Sequence, residues 1–206
     1  MAGENVPSPA ADRRSPGELR ARSGKRVLVA VGNVISVDSQ TFHLGELDRV
    51  VYKAATRINQ SSYTIGLAQG ETKCTFTFDA YRRGTEMDDT REIWHRLVTV
   101  LENTACPRIA QNAAQAIMVG ETVVFGSLPA TRIDADTEGL RQHKPFAKKV
   151  PWNQLAGADL REGQVRVWTG KERATGKNPK LRIDMAGWNA VILPRVVALL
   201  TGPRAA

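Results

Sequence analysis

A helical pattern in the middle of the chain, between two stretches of short β-strand patterns, constrains the fold most. Trp94, Leu97, Val98 and Leu101 recur at the spacing that places four apolar side chains on one face of a helix. A helix of this kind usually covers an open sheet. The helical segment is therefore expected over residues 88–119, as a spacer between two β-rich halves.

Pro107 is expected to divide this segment into two helices. A proline inside a helix removes a backbone donor, and its ring clashes with the carbonyl four residues earlier, which is that of Asn103. We therefore expect the first helix to end near Asn103 and a second helix to begin at Pro107. At the start of the segment, Asp88-Asp89-Thr90 supplies N-cap candidates and negative charge.

Both halves contain strand patterns followed by one amphipathic helix. Cys74, Phe76 and Phe78 alternate with polar residues, which predicts a strand with one buried face. The first half is predicted to contain five or six antiparallel strands, at 27–31, 34–37, 41–44, 47–55, 63–67 and 73–78. The strand candidates of the second half are 122–125, 131–134, a pair within 139–152, 164–168 and 181–185.

A second helix is predicted at the end of the chain, where Leu193, Val196, Val197 and Leu200 lie at helical spacing. Pro194 marks either its first turn or a kink in a helix that begins near residue 187. Strands followed by a helix thus occur twice, which is an internal repeat.

The second half also carries a series of short motifs. They are Gly-Glu-Thr-Val-Val-Phe-Gly at 120–126, Gly139-Leu140, Pro151-Trp152 and Gly-Gln-Val-Arg-Val at 163–167. These motifs resemble an uncharacterised actinobacterial family with tandem pleckstrin-homology-like (PH-like) domains. In the first half the resemblance rests on element order and on Phe42-His43-Leu44 with Glu46-Leu47.

The resemblance implies an α+β fold of two tandem PH-like modules. Each would be a bent antiparallel sheet, or a partly open barrel, capped by a C-terminal helix. The expected division is a disordered tail (1–25), module 1 (26–104), a helical linker (105–119), module 2 (120–201) and a C-terminal tail (202–206). The matched residues occupy strand and turn positions, so the resemblance bears on fold and carries no catalytic residue with it.

The positive charge of the chain is concentrated in one segment. The net charge is +8 over the whole chain, and residues 141–182 alone hold eleven Lys and Arg against three Asp and Glu. The candidate residues for binding an anion or a partner fall on two predicted loops and their flanking strands, where they can converge on one rim. They are Arg141, Lys144, Lys148, Lys149, Lys171, Arg173, Lys177 and Lys180. The alternative is a solvated surface that only keeps the protein in solution.

No motif in the sequence indicates catalysis or a cofactor. His43, His95 and His143 lie in three different predicted elements, without Cys, Asp or Glu at ligand spacing. Asp134 and Asp136 alternate on a predicted strand and could bind calcium, but such a pattern is more often a solvated strand edge. Cys74 and Cys106 are expected to be reduced and buried. We therefore predict no enzyme activity, no cofactor and no metal.

The leading hypothesis is a cytoplasmic, non-catalytic adaptor that binds a protein partner. The first alternative is peripheral binding to anionic membrane, at its inner face, through the basic rim of the second module. Nucleic acid is the less favoured partner, because no exposed aromatic residue is expected among the Lys and Arg side chains. A third hypothesis is an enzyme whose site is assembled from residues distant in sequence. The oligomeric state stays open.

Overall fold

The strand order of the chain repeats, with a helix after each repeat. The computed structural model describes residues 17–81, 86–127, 132–170 and 178–202. Within them the fold is α+β, and a four-stranded sheet, a three-stranded sheet and an α-helix follow one another twice. The described strands form antiparallel, open sheets, and none of these sheets closes into a barrel.

The first half contains seven strands. Its four-stranded sheet consists of β1 (Leu19–Ser23), β2 (Arg26–Val31), β3 (Val34–Val37) and β4 (Gln40–His43). Its three-stranded sheet consists of β5 (Arg49–Arg57), β6 (Gln60–Gln69) and β7 (Thr72–Tyr81). The alternation predicted for β7 is confirmed, because Phe76 and Phe78 are buried while Thr75, Thr77 and Asp79 are exposed.

The disordered tail predicted for residues 1–25 is wrong for β1. This strand pairs with β2 in antiparallel register from Leu19 opposite Ala30 to Ser23 opposite Arg26. Leu19 and Ala21 are buried, and they alternate with Arg20 and Arg22. Burial of one face against the sheet therefore offsets the ordering entropy of an arginine-rich segment. Residues 1–16 of the predicted tail lie outside the described residues.

The predicted break at Pro107 is also wrong, because helix α1 runs without interruption over Glu86–Met118 and contains Pro107. An interior proline costs roughly 3 kcal/mol in a helix. The turns on both sides of it are buried, at Ala105, Cys106, Ile109 and Ala110. Burial of these side chains offsets that cost, so the segment predicted as a linker is the second half of one long helix.

The second half follows the same order in shorter strands. Its four-stranded sheet consists of β8 (Val123–Phe125), β9 (Ile133–Asp136), β10 (Gly139–Gln142) and β11 (Val150–Pro151). After a 3-10 turn (Trp152–Gln154) come β12 (Leu155–Arg161), β13 (Gln164–Thr169) and β14 (Leu181–Asp184). A second 3-10 turn (Ala190–Ile192) leads into α2 (Leu193–Thr201). Pro194 lies in the first turn of α2, which confirms the first of its two predicted roles.

Helix α1 is shared by the two halves. Near its start, Trp94 packs on Tyr63 and Phe78, with ring centroids 5.2 and 6.4 Å apart. About two turns further, the carboxylate of Glu102 accepts hydrogen bonds from the Tyr52 hydroxyl of the first half and from Arg195 on α2. Buried residues of both halves accordingly form one continuous hydrophobic core.

The segment before α2 also joins the halves, along the outer edge of β5. The backbone N–H of Val50 donates to Asn189 Oδ1 at 2.9 Å, and the Val50 carbonyl accepts from the Asn189 N–H at 2.9 Å. Asn189 Nδ2 donates to the Asp48 carbonyl, and Lys53 Nζ lies 2.8 Å from Asp184 Oδ1. The edge of the first half is therefore paired with the second half over this stretch.

Both cysteines are free thiols. Cys106 is buried in α1, and burial raises its pKa to about 12, so it stays protonated at neutral pH. Cys74 is only half-buried, which corrects the expectation of two buried thiols, and its Sγ accepts a hydrogen bond from Arg26 at 3.2 Å.

Candidate functional site

Five of the eight predicted basic residues lie in the described part of the second half. Arg141 is in β10, Lys144 and Lys148 are in the loop between β10 and β11, and Lys180 immediately precedes β14. We call these four residues the basic rim. Lys171, Arg173 and Lys177 lie outside the described residues.

Hydrogen bonds connect the end of β10 with the segments that precede β9 and form β14. The backbone N–H of His143, which opens the β10–β11 loop, donates to the Arg132 carbonyl at the start of β9 (2.8 Å). Gln142 Nε2 donates across to the carbonyl of Arg182 in β14 (3.1 Å). This hydrogen bond ties the end of β10 to β14, the strand that Lys180 immediately precedes. The convergence of the basic residues on one rim stays a prediction.

Lys149 does not belong to the rim, although it was predicted there. Its ammonium nitrogen lies 2.7 Å from Asp136 Oδ2 and 2.6 Å from Glu138 Oε2. The hydrogen bond from Lys149 lowers the pKa of Asp136 below its ordinary value, and the two carboxylates raise the pKa of Lys149. Two local carboxylates thus neutralise this charge, and Lys149 anchors the C-terminal end of the loop to the β9–β10 turn.

Asp134 lies beneath the rim and is the one charged residue, among those described, that is buried. Arg132 Nε lies 2.6 Å from its Oδ1, while His143 Nδ1 and Arg141 Nη2 lie 3.6 and 4.0 Å from its Oδ2. Asp134 therefore pairs chiefly with Arg132 and leaves Arg141, whose side chain is 55% exposed, directed to solvent. Its carboxylate and that of Asp136 are each held by a cation.

The three rim lysines carry charge that no described residue neutralises. Lys144, Lys148 and Lys180 are exposed, and none of them forms an ion pair with a residue that the structure describes. A groove of about 760 Å³ lies against residues 141–147, within the size range of ligand sites. The three rim lysines can therefore attract an anionic group without first breaking a salt bridge to a described residue.

The structure corrects one expectation about aromatic residues. Phe146 lies in the loop between Lys144 and Lys148 and is fully exposed, whereas no exposed aromatic was expected among the basic residues. The tryptophans behave as predicted: Trp168 is buried and donates to Asp159, and the half-buried Trp152 donates to the Asp136 carbonyl (2.8 Å). The sequence signal for Phe146 is a lone aromatic residue in a Lys-rich loop whose other apolar residues, Pro145 and Ala147, are small.

The histidines are dispersed over the described fold. His43 ends β4, His95 lies on the exposed face of α1, and His143 opens the β10–β11 loop. Among the described residues, no group of three His, Cys, Asp or Glu side chains is placed to hold a metal ion. None of the described helices is both long and apolar enough to cross a bilayer.

Comparison with known proteins adds no relative. No protein-family model, no curated protein and no solved structure matches the chain. The functional argument therefore rests on the geometry of the basic rim and on the repeated strand and helix order.

Proposed function

We propose that the protein is a non-catalytic binding protein of two tandem PH-like modules, and that its basic rim binds the anionic face of a membrane. The repeated order of four strands, three strands and a helix supports the PH-like interpretation. The observation that carries the function is the set of three exposed lysines without carboxylate partners among the described residues, two of them on the β10–β11 loop and the third just before β14.

The charge of the rim supports reversible membrane association. A Lys or Arg near an anionic surface contributes about 1 kcal/mol, so the three lysines contribute about 3 kcal/mol, or roughly a hundredfold in affinity. This attraction falls off within about 8 Å at physiological ionic strength, so the rim has to lie against the headgroups. In this proposal the protein works at the inner face of the membrane.

The proposal assigns binding and no chemistry to the rim. General acid–base catalysis needs a titratable group that is free to exchange a proton with a substrate. The carboxylates of Asp134, Asp136 and Glu138 are instead held by Arg132 and Lys149. They position the cationic side chains above them.

Charge reversal of the rim tests the proposal. The triple variant Lys144→Glu, Lys148→Glu, Lys180→Glu is expected to lose at least about a hundredfold in affinity for anionic vesicles in a cosedimentation assay. The matched control reverses three exposed cations of the first half, Lys25, Lys73 and Arg96, and so changes the net charge equally. The control is expected to keep most of the binding. Equal losses in both variants would mean that only net charge matters and would remove the rim as a site.

A protein partner is the second candidate, and a different surface favours it. Helices α1 and α2 border a groove of about 490 Å³, lined in part by Ala110, Ala198 and Leu199. The Leu199 side chain is 51% exposed at this groove. An adaptor would bind its protein partner through this surface. Reversing the charge of the rim lysines would then leave binding of the protein partner unchanged.

A further inference from the structure

Phe146 occupies a position that the fold itself does not favour. Its side chain is fully exposed, so it gains nothing from packing. Its backbone φ is +59°, a left-handed conformation that bulky residues rarely adopt. The other described non-glycine residues with positive φ are Asp38, Glu162, Asn178 and Asn189, all polar. An aromatic residue at this position therefore calls for a reason outside the fold.

The loop that carries Phe146 is held in a defined shape. The N–H of Lys144 donates to the Gln142 carbonyl (2.8 Å), and the N–H of Ala147 donates to the Lys144 carbonyl (3.2 Å). At its C-terminal end, Lys149 is bound by Asp136 and Glu138. The loop is therefore tied down on both sides of Phe146, which reduces the ordering cost of using it in binding.

We propose that Phe146 enters the boundary between lipid headgroups and acyl chains, while Lys144 and Lys148 on either side contact the headgroups. This inference rests on the proposed function and adds the identity of the ligand: a bilayer rather than a soluble anion. Apolar side chains presented together with lysines are the pattern by which proteins bind at this interface. Lysine side chains can also lay their methylene stems along the apolar layer and keep their charge among the headgroups.

A soluble phosphate or a free headgroup would use the same lysines, but it has no apolar part to bury against the exposed Phe146 ring, even within the groove that this ring lines. Single-stranded nucleic acid would use both, since bases stack on aromatic rings. The described part of the β10–β11 loop offers one such ring, whereas binding along a single strand of nucleic acid normally uses several. A bilayer accounts for the lone Phe and its flanking charges together.

The first test replaces an exposed hydrophobic side chain by Asn at two places, in the β10–β11 loop and in a turn of the first half. Phe146→Asn removes the ring and suits a positive φ, whereas Phe146→Leu keeps an apolar tip. Ile58→Asn is the control, because Ile58 is 82% exposed at the β5–β6 turn of the first half. We expect Phe146→Asn to bind anionic vesicles about tenfold or more weakly, and the Leu and Ile58 variants to bind within about threefold of the wild type. The melting temperature of Phe146→Asn should not fall.

A second readout reports insertion directly. Phe146→Trp should show fluorescence quenching by vesicles that contain brominated acyl chains, in excess of the quenching of the wild type with its four native tryptophans. If the wild type and Phe146→Asn bound anionic vesicles equally well, and Phe146→Trp showed no excess quenching, Phe146 would not insert into the bilayer. Binding that still depended on lipid charge would leave the proposed function standing. Failure of the wild type to bind anionic vesicles would overturn both. Loss of binding by Phe146→Asn to a single-stranded oligonucleotide but not to vesicles would assign the loop to nucleic acid.

Discussion

Replacing Leu97 with Asp is expected to unfold both halves of the chain together. Leu97 is fully buried in the shared helix α1, so the substitution places an unpaired carboxylate in the core. The cost is expected to exceed about 4 kcal/mol, a large part of the 5–15 kcal/mol that stabilises a typical domain. Because the core is continuous across both halves, the loss is not confined to the first of them.

Calorimetry of Leu97→Asp is the measurement for this prediction. The expected result is one transition that is shifted down by roughly 8–16 °C or is lost. Asn112→Asp is the matched control, because Asn112 is exposed on the same helix and gains the same charge without a change of shape. A second transition that survives unchanged in the Leu97 variant would show that the second half folds alone. An unchanged melting temperature would remove α1 from the core.

Replacing Asn189 with Ala is expected to destabilise the protein by about 3 kcal/mol. The substitution leaves the partly buried N–H of Val50 without its acceptor, and it removes the hydrogen bond to the Asp48 carbonyl. It also forces Ala into a left-handed conformation, because Asn189 has a φ of +57°. Both effects act where the second half is paired with the edge of β5.

Denaturant unfolding of two variants separates these causes. Asn189→Gly loses the same side-chain hydrogen bonds but tolerates the positive φ, so it should be destabilised by about 1–2 kcal/mol less than Asn189→Ala. If both variants were as stable as the wild type, the Asn189 contacts would contribute nothing to the joining of the halves.

Elements with a clear hydrophobic period could be predicted from the sequence. The alternation in β7 and the apolar face at the start of α1 correspond to buried residues, and Pro194 correctly marked the start of α2. β12 was missed, because Leu-Ala-Gly-Ala-Asp-Leu-Arg contains no β-branched residue and has a bulge near Gly157. Pairing with β13 forms this strand, and tertiary pairing of that kind is not encoded in local propensity.

The continuity of helix α1 across Pro107 could not be predicted either. Local sequence patterns indicate the cost of a proline in a helix, but not the burial of the residues around it. The joining of the halves is non-local as well. Asn189 binds Val50, 139 residues earlier in the chain, and no periodicity in the sequence connects the two positions.

The concentration of charge could be predicted from the sequence, but the contacts around it could not. The excess of Lys and Arg after residue 141 indicated where a basic surface would lie. The sequence did not show that Lys149 is neutralised and lies outside that surface. This depends on the β9–β10 turn, which brings Asp136 and Glu138 to Lys149. Finding Phe146 requires its exposure and backbone conformation, because an aromatic residue in sequence is more often part of a core.

Cosedimentation of the wild-type protein with vesicles of increasing anionic lipid content, at low and at physiological salt, tests the central claim most directly. The account predicts binding that rises with the anionic fraction and falls with salt, because exposed lysines supply the attraction. Equal binding to neutral and anionic vesicles, or no binding to either, would contradict it. The search for a partner would then move to the groove between α1 and α2.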